Sequence, residues 1–92
     1  MNNSFATTVE SGITNLVVKE VSCWWGDLHF ILSNKNNRPI SGMIEITAFD
    51  SDKDPIGNAE VDFSLKGISG DSFSAKINCL REGGEFKFKA VE

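Results

Sequence analysis

The stretch Phe73-Ser74-Ala75-Lys76-Ile77-Asn78-Cys79 decides the fold. Phe73, Ala75, Ile77 and Cys79 fall on one face, and Ser72, Ser74, Lys76 and Asn78 on the other, the period-two pattern of a half-buried strand. A helix would scatter these residues around its circumference. Residues 85–90 repeat the pattern, with Phe86, Phe88 and Ala90 inward and Lys87 and Lys89 outward. Ala59, Val61, Phe63 and Leu65 alternate with Glu60, Asp62 and Ser64. Leu28, Phe30 and Leu32 alternate with Asp27, His29 and Ser33, Ile31 being the exception.

Working outward, residues 16–23 carry apolar side chains in both phases, as in a strand that bends or changes partners. In residues 43–49, Ile44, Ile46 and Ala48 face inward, and Met43 and Phe49 outward. Residues 5–9 suit a short edge strand. Glu82-Gly83-Gly84-Glu85 fits a two-residue primed hairpin turn, which would pair the strand ending near Leu80 with the one starting near Glu85. Trp25-Gly26-Asp27 reads as another tight reversal, residues 34–39 as a polar loop and residues 50–55 as an acidic one. The expectation is an all-β, immunoglobulin-like antiparallel β-sandwich of six to seven strands. It forms a single domain over residues 1–92, with 1–12 as an arm or an edge strand. The expected core comprises Leu28, Phe30, Leu32, Ile44, Ile46, Val61, Phe63, Phe73, Ile77, Phe86 and Phe88.

Composition bounds the function. The 92 residues include 9 basic and 13 acidic side chains, for a net charge of −4. That balance argues against a general nucleic-acid binder, which needs clustered Lys and Arg. No apolar run approaches the roughly 18 residues of a membrane-spanning helix, so no membrane insertion by this segment is expected. Seven Phe, two Trp and no Tyr favour dry aromatic contacts. Residues 1–8 lack the basic n-region and apolar core of a signal peptide, so a native start at Met1 would imply the cytoplasm.

Four groups of residues are candidates for chemistry. Asp50, Asp52 and Asp54 alternate as at the start of a calcium loop, but Pro55 stands where the bend needs glycine and Val61 where a bidentate Glu belongs. An acidic hairpin loop, with Asp bonding its own turning backbone, accounts for the run, and no metal is assigned. Cys23, Asp27 and His29 bring the one histidine within two residues of a carboxylate, and Cys79 would add a soft zinc ligand. The strand pattern sends Asp27 and His29 to solvent and Cys79 inward, and no glycine-flanked nucleophile elbow is present, so no catalytic residue and no cofactor are expected. Cys23 and Cys79 read as two small buried hydrophobes in preference to a disulfide closing a long loop. Trp24 and Trp25 must face opposite ways on a strand, which places one in the core and the other at a rim or contact site. Finally, Lys76, Lys87 and Lys89 would pair with Glu60 and Asp62 on neighbouring strands, or form a basic face opposite an acidic one.

Residues 28–77 resemble the FxLyD-type domain, an immunoglobulin-like sandwich of bacterial envelope proteins and lipoproteins. The matching features are Phe30-Ile31-Leu32-Ser33-Asn34-Lys35-Asn36, Pro39-Ile40, Ile44-Glu45-Ile46-Thr47-Ala48-Phe49-Asp50, Asp52-Lys53-Asp54-Pro55-Ile56-Gly57, and Leu65 followed by Gly70-Asp71-Ser72-Phe73. Pro55 and Lys66-Gly67-Ile68-Ser69 depart from the family pattern. The resemblance implies a fold and an extracytoplasmic setting, and transfers no catalytic residue. The leading expectation is a non-catalytic protein-binding or accessory module of the bacterial cell envelope. Its contacts would come from Trp24, Trp25, Asp50, Asp52 and Asp54, its partner would be another protein, and an edge strand offers a route to a homo-oligomer. The alternatives are a small acidic cytoplasmic inhibitor or immunity-like protein that blocks a basic site, and a calcium-dependent adhesive module.

Overall fold

The computed structural model describes residues 3–5, 9–78 and 85–92. They form eight strands, β1 (Asn3–Phe5), β2 (Val9–Glu10), β3 (Leu16–Trp24), β4 (Asp27–Asn34), β5 (Ile40–Phe49), β6 (Pro55–Leu65), β7 (Ser69–Lys76) and β8 (Glu85–Val91). Two antiparallel sheets result: β1-β3-β4-β7, with β2 also on the free side of β3, and β6-β5-β8. The fold is an all-β sandwich, with two short N-terminal strands added to six longer ones. No helix among the described residues is long and apolar enough to cross a membrane.

The two-phase pattern of residues 16–23 has a local cause. Between Lys19 and Ser22 the pairing of β3 with β4 slips by one residue, and Glu20 takes up a left-handed φ of 51°. The extra residue of a bulge reverses which parity faces the core. Leu16 and Val18 are buried before it, and Val21 and Cys23 after it.

Crossovers distribute the remaining strands. The β3–β4 and β5–β6 hairpins stay within their sheets, while β4 to β5, β6 to β7 and β7 to β8 change sheets. The expected hairpin of the last two strands does not form, since β7 pairs with β4 and β8 with β5. The connection over residues 77–84 is long enough to span the roughly 10 Å between packed sheets. The turn assigned to Gly83-Gly84 lies outside the described residues.

The core follows from the inward faces of β3, β4 and β5, where Leu16, Val18, Leu28, Leu32, Ile44 and Ile46 are fully buried. An aromatic row crosses it: Phe30 stacks on its cross-strand neighbour Phe73 at 5.9 Å between ring centroids and meets Phe88 of the opposite sheet at 5.5 Å. Of the expected core, Val61, Phe73 and Phe86 are half-buried. Val61 and Phe73 lie on β6 and β7, and Phe86 on β8, which end their sheets in the described pairing; an inward-pointing side chain there is covered from one flank only. Cys23 is buried and disulfide-bonded, which replaces its reading as a buried thiol; Cys79 lies outside the described residues.

Candidate interaction surface

Alternating strand direction places Trp24, Lys76, Phe49 and Pro55 at one end of the sandwich. Trp24 pairs with Asp27 across the β3–β4 turn, Asp27 with Lys76, and Phe49 with Pro55. Two hydrogen bonds close this end, the first continuing the β4–β7 pairing within one sheet and the second crossing to the other sheet. The Ile77 amide donates to the Gly26 carbonyl at 3.0 Å, and Asn78 Nδ2 donates to the Ile56 carbonyl at 3.1 Å. A Cβ on Gly57 would lie 3.1 Å from Asn78, so the bridge is tight. The two groups singled out in the sequence, Trp24-Trp25 and residues 50–54, therefore occupy the same end. Ile77 and Asn78, which join them, carry no sequence signal of that role beyond lying past a strand.

Trp25-Gly26 is the whole of the β3–β4 loop, with φ of 51° and 81°. Two consecutive positive φ values define the primed turn whose twist suits a hairpin. Gly26 enters this region without cost, but a tryptophan there is strained. Trp25 is 76% exposed and Trp24 43%, so neither belongs to the core; the expectation that one of the two would be buried is corrected. The turn projects one indole out of the end of the domain and leaves the other at the rim.

The acidic loop is held by its first carboxylate. Asp50 Oδ1 accepts the amides of Asp52 and Asp54, each at 2.9 Å, while the Lys53 amide donates to the Asp50 carbonyl at 3.0 Å. Asp50 is thus engaged in shaping the turn, and Asp52 and Asp54 are exposed. Among the described residues, no group of three or more His, Cys, Asp or Glu side chains is placed to hold a metal ion.

Beside the Trp hairpin, Lys76 Nζ donates to Asp27 Oδ1 in an ion pair. That hydrogen bond, with the nearby charges of Lys76 and His29, holds the Asp27 carboxyl below the usual carboxylate range. His29 is exposed, while Cys23 is buried in a disulfide; opposite orientations keep the Cys/His constellation from assembling. The charge pattern also differs from both sequence alternatives. Glu60 and Asp62 on β6 and Lys87 and Lys89 on β8 share one sheet, on either side of β5, with Lys76 on the other sheet. Lys87 Nζ sits 5.3 Å from the centroid of the Phe49 ring.

Compared with known proteins, the chain matches no family model, no curated protein and no solved structure.

Proposed function

We propose that this domain is a non-catalytic protein-binding module of immunoglobulin-like connectivity, working in the cell envelope of a bacterium, with the Trp25 hairpin as its contact. The carrying observation is Trp25, a large aromatic side chain 76% exposed on a left-handed backbone that a smaller residue would occupy at less cost. A large, rigid, amphipathic side chain at a projecting tip is the type that dominates binding energy at interfaces.

Three further observations support the reading. In immunoglobulin domains the central strand pairs B–E and C–F lie in different sheets, with A beside B, and C′ beside C in the variable type. The pairs β4–β7 and β5–β8, with β3 beside β4 and β6 beside β5, follow that scheme. The resemblance of residues 28–77 to FxLyD-type domains points to a bacterial envelope setting. A disulfide at Cys23 belongs to an oxidising compartment, which weighs against the cytoplasmic inhibitor.

Affinity capture with the wild-type domain and with Trp25→Ala, followed by calorimetry on the purified partner, tests this. A partner bound about thirtyfold more weakly by the variant is expected for a hot-spot residue. Unchanged binding by the variant, or a substrate turnover abolished by His29→Ala, would overturn it.

A further inference from the structure

We propose that the open edge of β6 receives, by strand addition, an extended segment of another protein in which Lys or Arg alternates with apolar residues. This second contact lies beyond the one assigned to Trp25 and uses no part of that hairpin. The sheet register fixes which backbone groups the edge presents. The Ala90 amide turns away from β5 to the Ser11 carbonyl, so by alternation Lys87 and Lys89 exchange hydrogen bonds with β5, at Thr47 and Glu45. On its other flank β5 then bonds Ala59, Val61 and Phe63, which turns the amides and carbonyls of Asn58, Glu60, Asp62 and Ser64 outward. The Ile56 carbonyl, facing the same way, accepts Asn78 Nδ2 at 3.1 Å. From Asn58 to Ser64, no described residue pairs with this edge.

The other edges are engaged or short. Ser11 holds the Ala90 amide of β8, Asp71 Oδ1 accepts the Ser72 amide of β7 at 2.9 Å, and β1 and β2 span 3 and 2 residues, against 11 in β6. A free edge is a template for pairing, and its side chains decide what it accepts. Glu60 and Asp62 are exposed on the outer face of the sheet. Glu60 stands directly opposite Glu45, a destabilising like-charge pair, whereas Glu45 has Lys89 on its other side. Asp62 stands opposite Met43. On an added strand, a cation meets Glu60 at the cross-strand spacing of ~5 Å, and a second, two residues along, meets Asp62. The residue between them points inward beside Val61, whose half-buried side chain is covered from one flank only, and an apolar side chain there covers the other. The same carboxylates disfavour a second copy, because antiparallel pairing of two β6 edges in this register sets Glu60 against the Asp62 of the other copy.

The test uses the full chain and a blocked peptide of valine and lysine in alternation, with the two lysines spaced to oppose Glu60 and Asp62. Binding is read by calorimetry and by amide hydrogen exchange. The peptide should bind and slow exchange at the Glu60 and Asp62 amides at least about fivefold. N-methylation of its two lysine amides, which face the edge, should abolish binding. Glutamate in place of lysine should weaken it at least about fivefold, and Glu60→Lys with Asp62→Lys, both at exposed positions, should reverse that preference. No binding of the lysine peptide at ~1 mM would overturn the proposal, as would unchanged exchange at Glu60 and Asp62, equal binding of the N-methylated peptide or indifference to the charge reversal. Self-association that protects the same amides without peptide would also overturn it, because the occupant would then be a second copy. Trp25→Ala should leave peptide binding unchanged. If it abolishes that binding, the peptide sits at the hairpin and the β6 edge falls, while the contact role of Trp25 stands.

Discussion

The two ends of this sandwich treat their polar groups in opposite ways. At the end formed by residues 11–15, 35–39 and 66–68, polar groups turn inward and are consumed by the fold. Asn34 is 1% exposed, and its Nδ2 donates to the carbonyls of Arg38 and Lys66 at 2.9 and 3.0 Å. Its Oδ1 accepts the Asn36 amide at 3.0 Å. One side chain thus fastens both crossover loops. Ser11 does the same for the N-terminal arm, with its Oγ on the Leu16 carbonyl and its own carbonyl accepting the Ala90 amide at 2.7 Å. At the Trp25 end, the Ile77 amide extends the β4–β7 pairing to the Gly26 carbonyl, one bond from Asn78 to the Ile56 carbonyl crosses between the sheets, and the tryptophans and carboxylates turn outward. One end is built for cohesion, while the other holds its surface groups in place and leaves them accessible.

The sharpest way to break this contrast is to remove the inward network. Asn34→Ala removes the donor of the Arg38 carbonyl, one of the two donors of the Lys66 carbonyl, which keeps Ser69 Oγ, and the acceptor of the Asn36 amide. A buried group stripped of its hydrogen bond costs about 1–3 kcal/mol, so the loss expected for this multiple hub is about 3 kcal/mol. At roughly 4–8 °C per kcal/mol for a domain of this size, the melting temperature should fall by about 12 °C or more, with partner binding through the Trp25 hairpin intact below the transition. A shift of about a degree would show that the loops hold without Asn34.

The same measurement at the other end should run in the opposite direction. Trp25→Asn replaces a strained left-handed residue with one that tolerates this conformation beside glycine, and little buried surface is lost from a side chain 76% exposed. Stability should rise by about 0.5–1 kcal/mol, while binding through this hairpin falls. A destabilisation of comparable size would place the indole among the structural groups and erase the distinction between the ends.

How much of this was legible in the sequence follows the same division. The inward faces of β4 and β5 and the bend in β3 could be read because burial imposes a period, and because a bulge leaves its mark as a change of phase around Glu20. The Trp25-Gly26 reversal was readable from glycine, and the shaping role of Asp50 from the preference of Asp for turns. Partner choice among strands was not readable. Phe73 and Phe86 have the same alternation whether their strands form one hairpin or sit in two sheets, because period reports which side faces the core and not which strand lies beside it. The juxtaposition of Trp25 with Asp52 depends on that partner choice, so the candidate surface could be named residue by residue but not assembled. The role of Asn34 was hidden too, since its partners are backbone carbonyls distant in sequence.

The smallest expected effect lies in the Asp27–Lys76 pair, at the open end. The Asp27 carboxyl is held low mainly by the hydrogen bond from Lys76, so the native state favours its ionised form more than the unfolded chain does. Its contribution to stability is therefore complete above the ordinary carboxylate value of about 3.9 and is lost as pH falls through the lower value of the folded state. The difference in melting temperature between wild type and Asp27→Asn should be small and positive near neutrality. It should close below pH ~4, and narrow at high salt, because exposed pairs are screened. Lys76→Ala should reproduce the neutral-pH difference and, combined with Asp27→Asn, add little to it. A gap that persists unchanged to pH ~2 would mean that Asp27 acts through the geometry of the Trp25-Gly26 turn and not through its charge. The open end would then share the cohesive design of the other.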